Sequence, residues 1–326
     1  MADYIDQSIR EGLQERRRRL EAALIEPADT AGLRDLLREV DAALERLERG
    51  TYGLCETCHD PIEADRLASN PLLCFCIGHL APQERRALEE DLGLASRIQN
   101  ELLPQRHLRA GDWEVSYHYE PSGPVSGDYC DLIQPDGDAL FFMVGDASGK
   151  GVAASMLMSQ LHAIFRTLVH LATPVDQLLD RANRIFCDAK LPGHYATLVC
   201  GRADRNGSVE LSNAGHCPPL VVCGGKATEF TAAGFPLGMF CDSKYGVTKV
   251  EFARGDSLLL YTDGLSETRN ASGAEYGSTR LARLAAERAA VAPSSLVTAC
   301  LDDVAAFRAG APRGDDLTLM AIRRIE

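Results

Sequence analysis

No segment of the sequence approaches the ~18 consecutive apolar residues of a membrane-spanning helix. The start, Met1-Ala2-Asp3-Tyr4, lacks the basic stretch and apolar core of a secretory leader. These absences predict a soluble, cytoplasmic protein with no membrane association. Positive charge is also scarce. Lys and Arg total 34 against 47 Asp and Glu, a net charge of -13; nucleic-acid backbones are bound by clustered cations, so no direct nucleic-acid partner is expected. The one basic run, Arg16 to Arg19, reads as the solvated face of a helix. Two familiar motifs fail on spacing. From Gly145 to Gly149 the chain is one residue short of a Walker loop, with Gly151 in place of the hydroxyl residue, and Ser148 stands one place too late for a nucleophile elbow. The 11 cysteines do not form the disulfide framework of a small secreted chain. Those between Cys55 and Cys76 cluster and the rest lie scattered in apolar context, which reads as one metal site plus reduced thiols.

With 326 residues, 45% hydrophobic and 25% charged, the chain has material for one large core and a smaller appendage. Near the start, Ile9, Leu13, Leu20 and Leu24 recur at helical period, and Leu33, Leu36, Leu37, Val40, Leu44 and Leu47 repeat the pattern after Pro27. A helical hairpin over 1–50 is predicted, with Asp29 or Thr30 capping its second helix. Cys55, Cys58, Cys76 and His79 follow with the spacing C-x2-C-x17-C-x2-H. Two short-spaced pairs of soft and borderline ligands can close tetrahedrally on one structural Zn²⁺ with no open position for a substrate. Cys74, two residues before Cys76, is a competing ligand.

Gly50-Thr51-Tyr52-Gly53 before the first pair, and Ile62-Glu63-Ala64-Asp65-Arg66-Leu67 with Pro71 between the pairs, resemble the zinc finger of the DksA/TraR family. That family carries cysteine where this chain has His79. Members that enter RNA polymerase present acidic residues at the tip of a long helical hairpin, whereas the tip here, around Asp29, is short.

The zinc knuckle, 51–82, leads into a connecting segment, 83–110, whose helix from Gln83 to Leu103 carries Leu88, Leu92, Ala95, Ile98 and Leu102 at steps of three and four. This seam either packs on its own domain or pairs two chains as a homodimer. Beyond residue 111 strand-like stretches fall at 115–119, 140–144, 195–201, 209–212, 220–223, 247–252, 257–261 and 317–322, and helical ones at 152–171, 175–189, 278–288 and 294–307. Strands following strands at hairpin distance predict antiparallel sheet and an α+β class.

Four acidic loops stand out in this region. They are Ser126-Gly127-Asp128, Gly145-Asp146-Ala147-Ser148, Tyr261-Thr262-Asp263-Gly264 and Gly314-Asp315-Asp316-Leu317. The apolar run Phe141 to Val144 in particular reads as a buried strand that delivers Asp146 to a turn. Converging carboxylates repel one another and call for a compensating cation, and oxygen-only ligation selects hard ions such as Mg²⁺ or Mn²⁺. Two such ions, roughly 3.5–4 Å apart, lower the pKa of a shared water that can attack a phosphorus in line. His216, in Asn213-Ala214-Gly215-His216, is a candidate general acid or a turn-ordering residue.

Taken in order, these loops, together with Gln99 to Pro104 and Asp315-Asp316-Leu317-Thr318-Leu319, resemble metal-dependent (PPM-type) serine/threonine phosphatases of the SpoIIE/RsbU type. The resemblance implies an αββα sandwich over 111–326 holding two Mn²⁺ or Mg²⁺ ions. It implies catalytic and metal-binding roles for Asp128, Asp146, Asp263 and Asp315, with Asp146 bridging both ions, the Ala147 carbonyl as a further ligand and Asp316 a weaker candidate. It also implies a phosphorylated protein substrate, an anti-sigma-factor antagonist, in a partner-switching pathway. The alternative is a non-catalytic transcription regulator that contacts RNA polymerase through the zinc module.

Overall fold

The computed structural model describes residues 2–23, 31–63, 66–67, 70–80, 82–135, 139–171, 174–189, 193–231 and 234–325. Met1, Leu24, Pro27, Asp29, Thr30, Ala64 and Asp65, invoked above, lie outside these residues. The chain divides into two compact units, Met1–Asp91 and Leu92–Glu326.

In the first unit helices α1 (Ala2–Ala23) and α2 (Ala31–Glu48) pack on each other. Leu13, Val40, Ala43 and Leu47 are buried in their seam with Leu72 from the following loop. Neither helix would hold its shape in water without such a partner. Helix α3 (Pro82–Leu102) crosses the boundary between the units.

The second unit contains two antiparallel sheets. The six-stranded sheet has the order β1-β2-β11-β10-β7-β8 and the five-stranded one β3-β4-β5-β6-β9. The strands are β1 (His107–Ala110), β2 (Trp113–Glu120), β3 (Asp128–Ile133), β4 (Ala139–Ala147), β5 (Ala196–Asp204), β6 (Ser208–Ala214), β7 (Leu220–Cys223), β8 (Lys226–Glu229), β9 (Thr248–Glu251), β10 (Ser257–Tyr261) and β11 (Leu317–Arg324). Helices α4 (Gly151–Val169) and α5 (Val175–Ala189) cover the outer face of the five-stranded sheet. The turn α6 (Asp263–Ser266) and helices α7 (Ser278–Glu287) and α8 (Pro293–Arg308) follow β10, and α7 and α8 cover the other sheet.

Side chains along a strand alternate between faces, so a strand with both faces covered reads as a continuous apolar run. In β4, Leu140, Phe142 and Val144 enter the core between the sheets, whereas Phe141 and Met143 enter the core under α4 and α5. In β11, Met320 and Ile322 face the other sheet, while Leu319 and Ala321 face α7 and α8. The result is the αββα layering expected for this region.

Three strands escaped sequence reading. β1 and β8 are short edges, and β3, read as loop because of its Gly-Asp-Tyr-Cys-Asp composition, is buried along its whole length. Two other expectations need correction. α4 is by length and composition apolar enough to cross a membrane, but Met158, Leu161, Phe165 and others of its apolar residues are buried in the core of this unit, while Val152 and Met156 are exposed. The cysteines outside the zinc set are not all thiols, because Cys187 at the end of α5 is disulfide-bonded to Cys241, 54 residues away.

Candidate metal centres

The four acidic loops converge at one end of the two sheets. Asp128 opens β3 and stands opposite Asp146 in the β3–β4 register. Asp263 stands two residues after the end of β10, and Asp315 two residues before the start of β11. The sheets are stitched together here by Asp128 itself, whose Oδ2 accepts hydrogen bonds from Thr262 Oγ1 at 2.9 Å and Thr318 Oγ1 at 2.6 Å. Burial drives the Asp128 carboxyl well above the ordinary carboxylate range despite those hydroxyls, and the charge of Asp146 adds to the rise. Asp146 is pushed up to about 7 by burial and by Asp263, Asp315 and Asp316. Burial and Asp315 raise Asp263 as well.

Carboxylates gathered until their proton affinity rises form an oxygen-only site short of countercharge, and hard divalent ions fit it. They are set wider than the ligands of a single ion. Among the described residues, the only set of three or more His, Cys, Asp or Glu whose ligand atoms all lie within 4.8 Å of one another is the cysteine–histidine group. A wider spacing suits carboxylates joined through two ions.

Neighbouring groups keep the cluster in shape. Gly127 leaves the Ala147 carbonyl clear, since a Cβ at Gly127 would sit 3.0 Å from that oxygen and 3.1 Å from Asp146 Oδ1. Asp316 accepts hydrogen bonds from the backbone N–H groups of Ser122 at 2.7 Å and Gly127 at 2.9 Å, so it clamps the loop before β3. Gln99 of α3 adds a second clamp. It donates to Ser126 O at 2.7 Å and accepts from Ser126 N at 3.0 Å, two residues from Asp128. Lys150 Nζ lies 3.0 Å from Asp315 Oδ2.

His216 is buried in the wall behind Asp146. Its Nδ1 lies 2.8 Å from Oγ1 of Thr197, the residue opposite Asp146 in β5, while its backbone exchanges hydrogen bonds with the Asn213 amide. Burial pushes its imidazole down to about 4, so it is neutral around pH 7. It orders the turn after β6. A cleft of about 330 Å³ opens beside the cluster between Gly264–Arg269 and Pro312–Asp315.

Sequence reasoning named the four aspartates but missed Thr262, Thr318 and Lys150. Threonines at strand ends and a lysine between glycines carry no signal until the loops are brought together.

In the N-terminal unit Cys55, Cys58, Cys76 and His79 bring their ligand atoms within 4.8 Å of one another. Cys58 Sγ lies 3.7 Å from Cys76 Sγ, and Cys76 Sγ lies 3.3 Å from His79 Nδ1. A tetrahedron with Zn–S bonds of ~2.3 Å has edges of ~3.8 Å, so the group matches a zinc site. Burial works against ionisation of Cys55, but backbone N–H groups of Cys58, Cys76 and Thr57 outweigh it and lower the thiol to about 6. Cys74 is not part of this group; its carbonyl accepts the Glu56 N–H.

The profile of Stage II sporulation protein E (SpoIIE) matches residues 136–325, more than half of the chain. The chain belongs to the SpoIIE family. It is similar to the phosphoserine phosphatase RsbP of Bacillus subtilis, with 27% identity over 186 residues, covering 55% of this chain and 46% of RsbP. The chain spans only 41–57% of the length of the first curated relatives it matches. Among solved structures, the SiaA-PP2C domain of Pseudomonas aeruginosa superposes with a TM-score of 0.65 at 20% identity, covering 75% of this chain and 99% of that domain. The RsbU and RsbW domains of a Mycobacterium tuberculosis protein give 0.58 at 30% identity, covering 68% and 62%. This SpoIIE-family chain therefore has the PP2C phosphatase fold, with two antiparallel sheets faced by helices.

Proposed function

We propose that the chain is a metal-dependent protein phosphoserine/phosphothreonine phosphatase. The observation that carries this reading is the gathering of Asp128, Asp146, Asp263 and Asp315 from four separate loops at one site, where burial and neighbouring carboxylates raise the proton affinity of Asp128, Asp146 and Asp263. Asp128, Asp146, Asp263 and Asp315, with the Ala147 carbonyl, would hold two Mn²⁺ or Mg²⁺ ions. Such ions supply an activated water and neutralise charge on the phosphoryl oxygens. Asp128 holds the two sheets in register at the site through Thr262 and Thr318. The neutral His216 keeps the strand behind Asp146 in place. Hydrolysis consumes one water and leaves a seryl or threonyl hydroxyl and inorganic phosphate.

The substrate in this reading is a phosphorylated anti-sigma-factor antagonist in a bacterial partner-switching pathway. Family membership and similarity to phosphoserine phosphatases support that class. The same reading divides the chain into hairpin, zinc knuckle, connecting helix and phosphatase domain, with a structural Zn²⁺ on Cys55, Cys58, Cys76 and His79 and a regulatory role for the N-terminal part. The α3 residues Leu88, Leu94 and Ile98 are exposed, which suits pairing of two chains through 83–103. A cytoplasmic setting accords with these partners. A non-catalytic regulator docking on RNA polymerase is disfavoured because it has no use for an intact carboxylate cluster.

The test is turnover of a phosphoserine peptide by the purified chain with and without Mn²⁺. Asp146→Asn removes one ligand charge at little steric cost and is expected to abolish turnover with the fold intact. Undiminished turnover in that variant would overturn the mechanism.

A further inference from the structure

A phosphate monoester brings about two negative charges to a site already walled by carboxylates. Two divalent ions would balance Asp128, Asp146, Asp263 and Asp315, and Asp316 is committed to backbone amides. The incoming dianion therefore still needs a cation at the mouth of the site. The arginines of the neighbouring cleft are engaged elsewhere, Arg269 with Glu275 and Arg313 with Glu120.

Lys150 differs from both. Its positive charge is felt at Asp146 and at Asp263. Its ammonium reaches from the β4–α4 loop to the opposite loop, 2.9 Å from Gly314 O and 3.0 Å from Asp315 Oδ2, with 65% of the side chain exposed. An ammonium has three N–H donors, and these two acceptors leave one for a ligand. The backbone holds Lys150 in place. Gly149 and Gly151 have φ of 102° and 67°, a region costly for other residues, and there is open space around both. They are glycines for conformation, not for room. An exposed ion pair contributes little to stability, so holding a lysine here has small value for the fold alone.

We propose that Lys150 is the phosphate-binding residue of the site, donating a charge-assisted hydrogen bond to a non-bridging oxygen of the phosphoserine or phosphothreonine substrate. This rests on the phosphatase reading above. It places the phosphoryl group between the carboxylate cluster and the start of α4, and leaves the cleft beside Gly264 and Arg313 for the polypeptide around the phosphorylated residue.

The experiment uses the full chain saturated with Mn²⁺ and compares wild type, Lys150→Met and Lys150→Arg. Calorimetry measures binding of inorganic phosphate, elemental analysis measures manganese per chain, and kinetics on a phosphoserine peptide separates KM from kcat. Lys150→Met is expected to weaken phosphate binding by about ten- to a hundredfold and to raise KM, at unchanged melting temperature and manganese content. Lys150→Arg, which keeps the charge, recovers most of the loss. Unchanged phosphate affinity in Lys150→Met at full manganese occupancy overturns the assignment. So does loss of manganese in step with phosphate, which would make Lys150 an organiser of the metal ligands. A wild-type chain that binds manganese and phosphate but hydrolyses no phosphoester would fail the phosphatase reading, not this one.

Discussion

Asp146 has to lose its proton before it can bind a cation, and its raised value of about 7 sets where that happens. Manganese affinity should climb by up to about tenfold per pH unit below neutrality and flatten above it. Calorimetric titrations on both sides of neutrality, repeated in buffers of different ionisation enthalpy, would detect the released proton. The metal-free chain should show the opposite trend in stability. Its folded state keeps a proton that the unfolded chain gives up near 3.8, so the contribution is complete below that pH and is lost as pH rises through about 7. At Gly264 the constraint is steric. A Cβ there would sit 1.8 Å from Asp316 O, so Gly264→Ala must push the Asp263 turn away from the Asp315–Asp316 loop. We expect a loss of about 1–3 kcal/mol in urea unfolding, with weakened manganese binding.

Helix α3 illustrates how one element can serve two ends. Its apolar repeat was legible from spacing, but Gln99, the residue that ties it to the metal-site loop, interrupts no pattern and is buried at 4% exposure. Gln99→Ala strands the N–H and C=O of the buried Ser126, at an expected cost of about 1–3 kcal/mol. If the clamp positions Asp128, manganese affinity falls with it; unchanged affinity would confine Gln99 to a packing role. The segment 238–245 is held to α5 by the Cys187–Cys241 disulfide, by Asn183 and by the Asp180–Lys244 ion pair. With the cysteines separated by 54 positions, the chain-entropy argument gives about 4 kcal/mol for the cross-link. Thermal melts with and without a dithiol reductant, with Cys187→Ser as the control that reductant should not affect, would measure it.

For the molecule as a whole, the two metal chemistries should stay separate, because thiolate ligands reject Mg²⁺ and Mn²⁺. One zinc per chain should survive mild chelation that strips the carboxylate site. Zinc loss in Cys74→Ser with retention in His79→Ala would show that the fourth ligand is wrongly assigned. If the N-terminal unit regulates the catalytic one, a chain beginning at Leu92 should differ from the full chain in solution mass and in turnover at saturating Mn²⁺. Equality in both would leave the zinc module as a docking site.

Local order in the chain was enough to reveal what local physics controls. Paired cysteines at short spacing, the helical period of Leu33 to Leu47, the apolar run into Asp146 and four aspartates flanked by glycine each announce themselves within a few residues. Tertiary structure decided what depends on distant residues meeting. β3 carries too many polar residues to read as a strand, yet it is one because its aspartates are received, Asp128 by Thr262 and Thr318, and Asp131 by Arg166 on α4. Cys187 and Cys241 are unremarkable alone and bond only because α5 ends where the 238–243 segment passes. The proton affinity of Asp146 belongs to no single stretch of sequence; it comes from burial and from charges delivered by loops more than a hundred residues away.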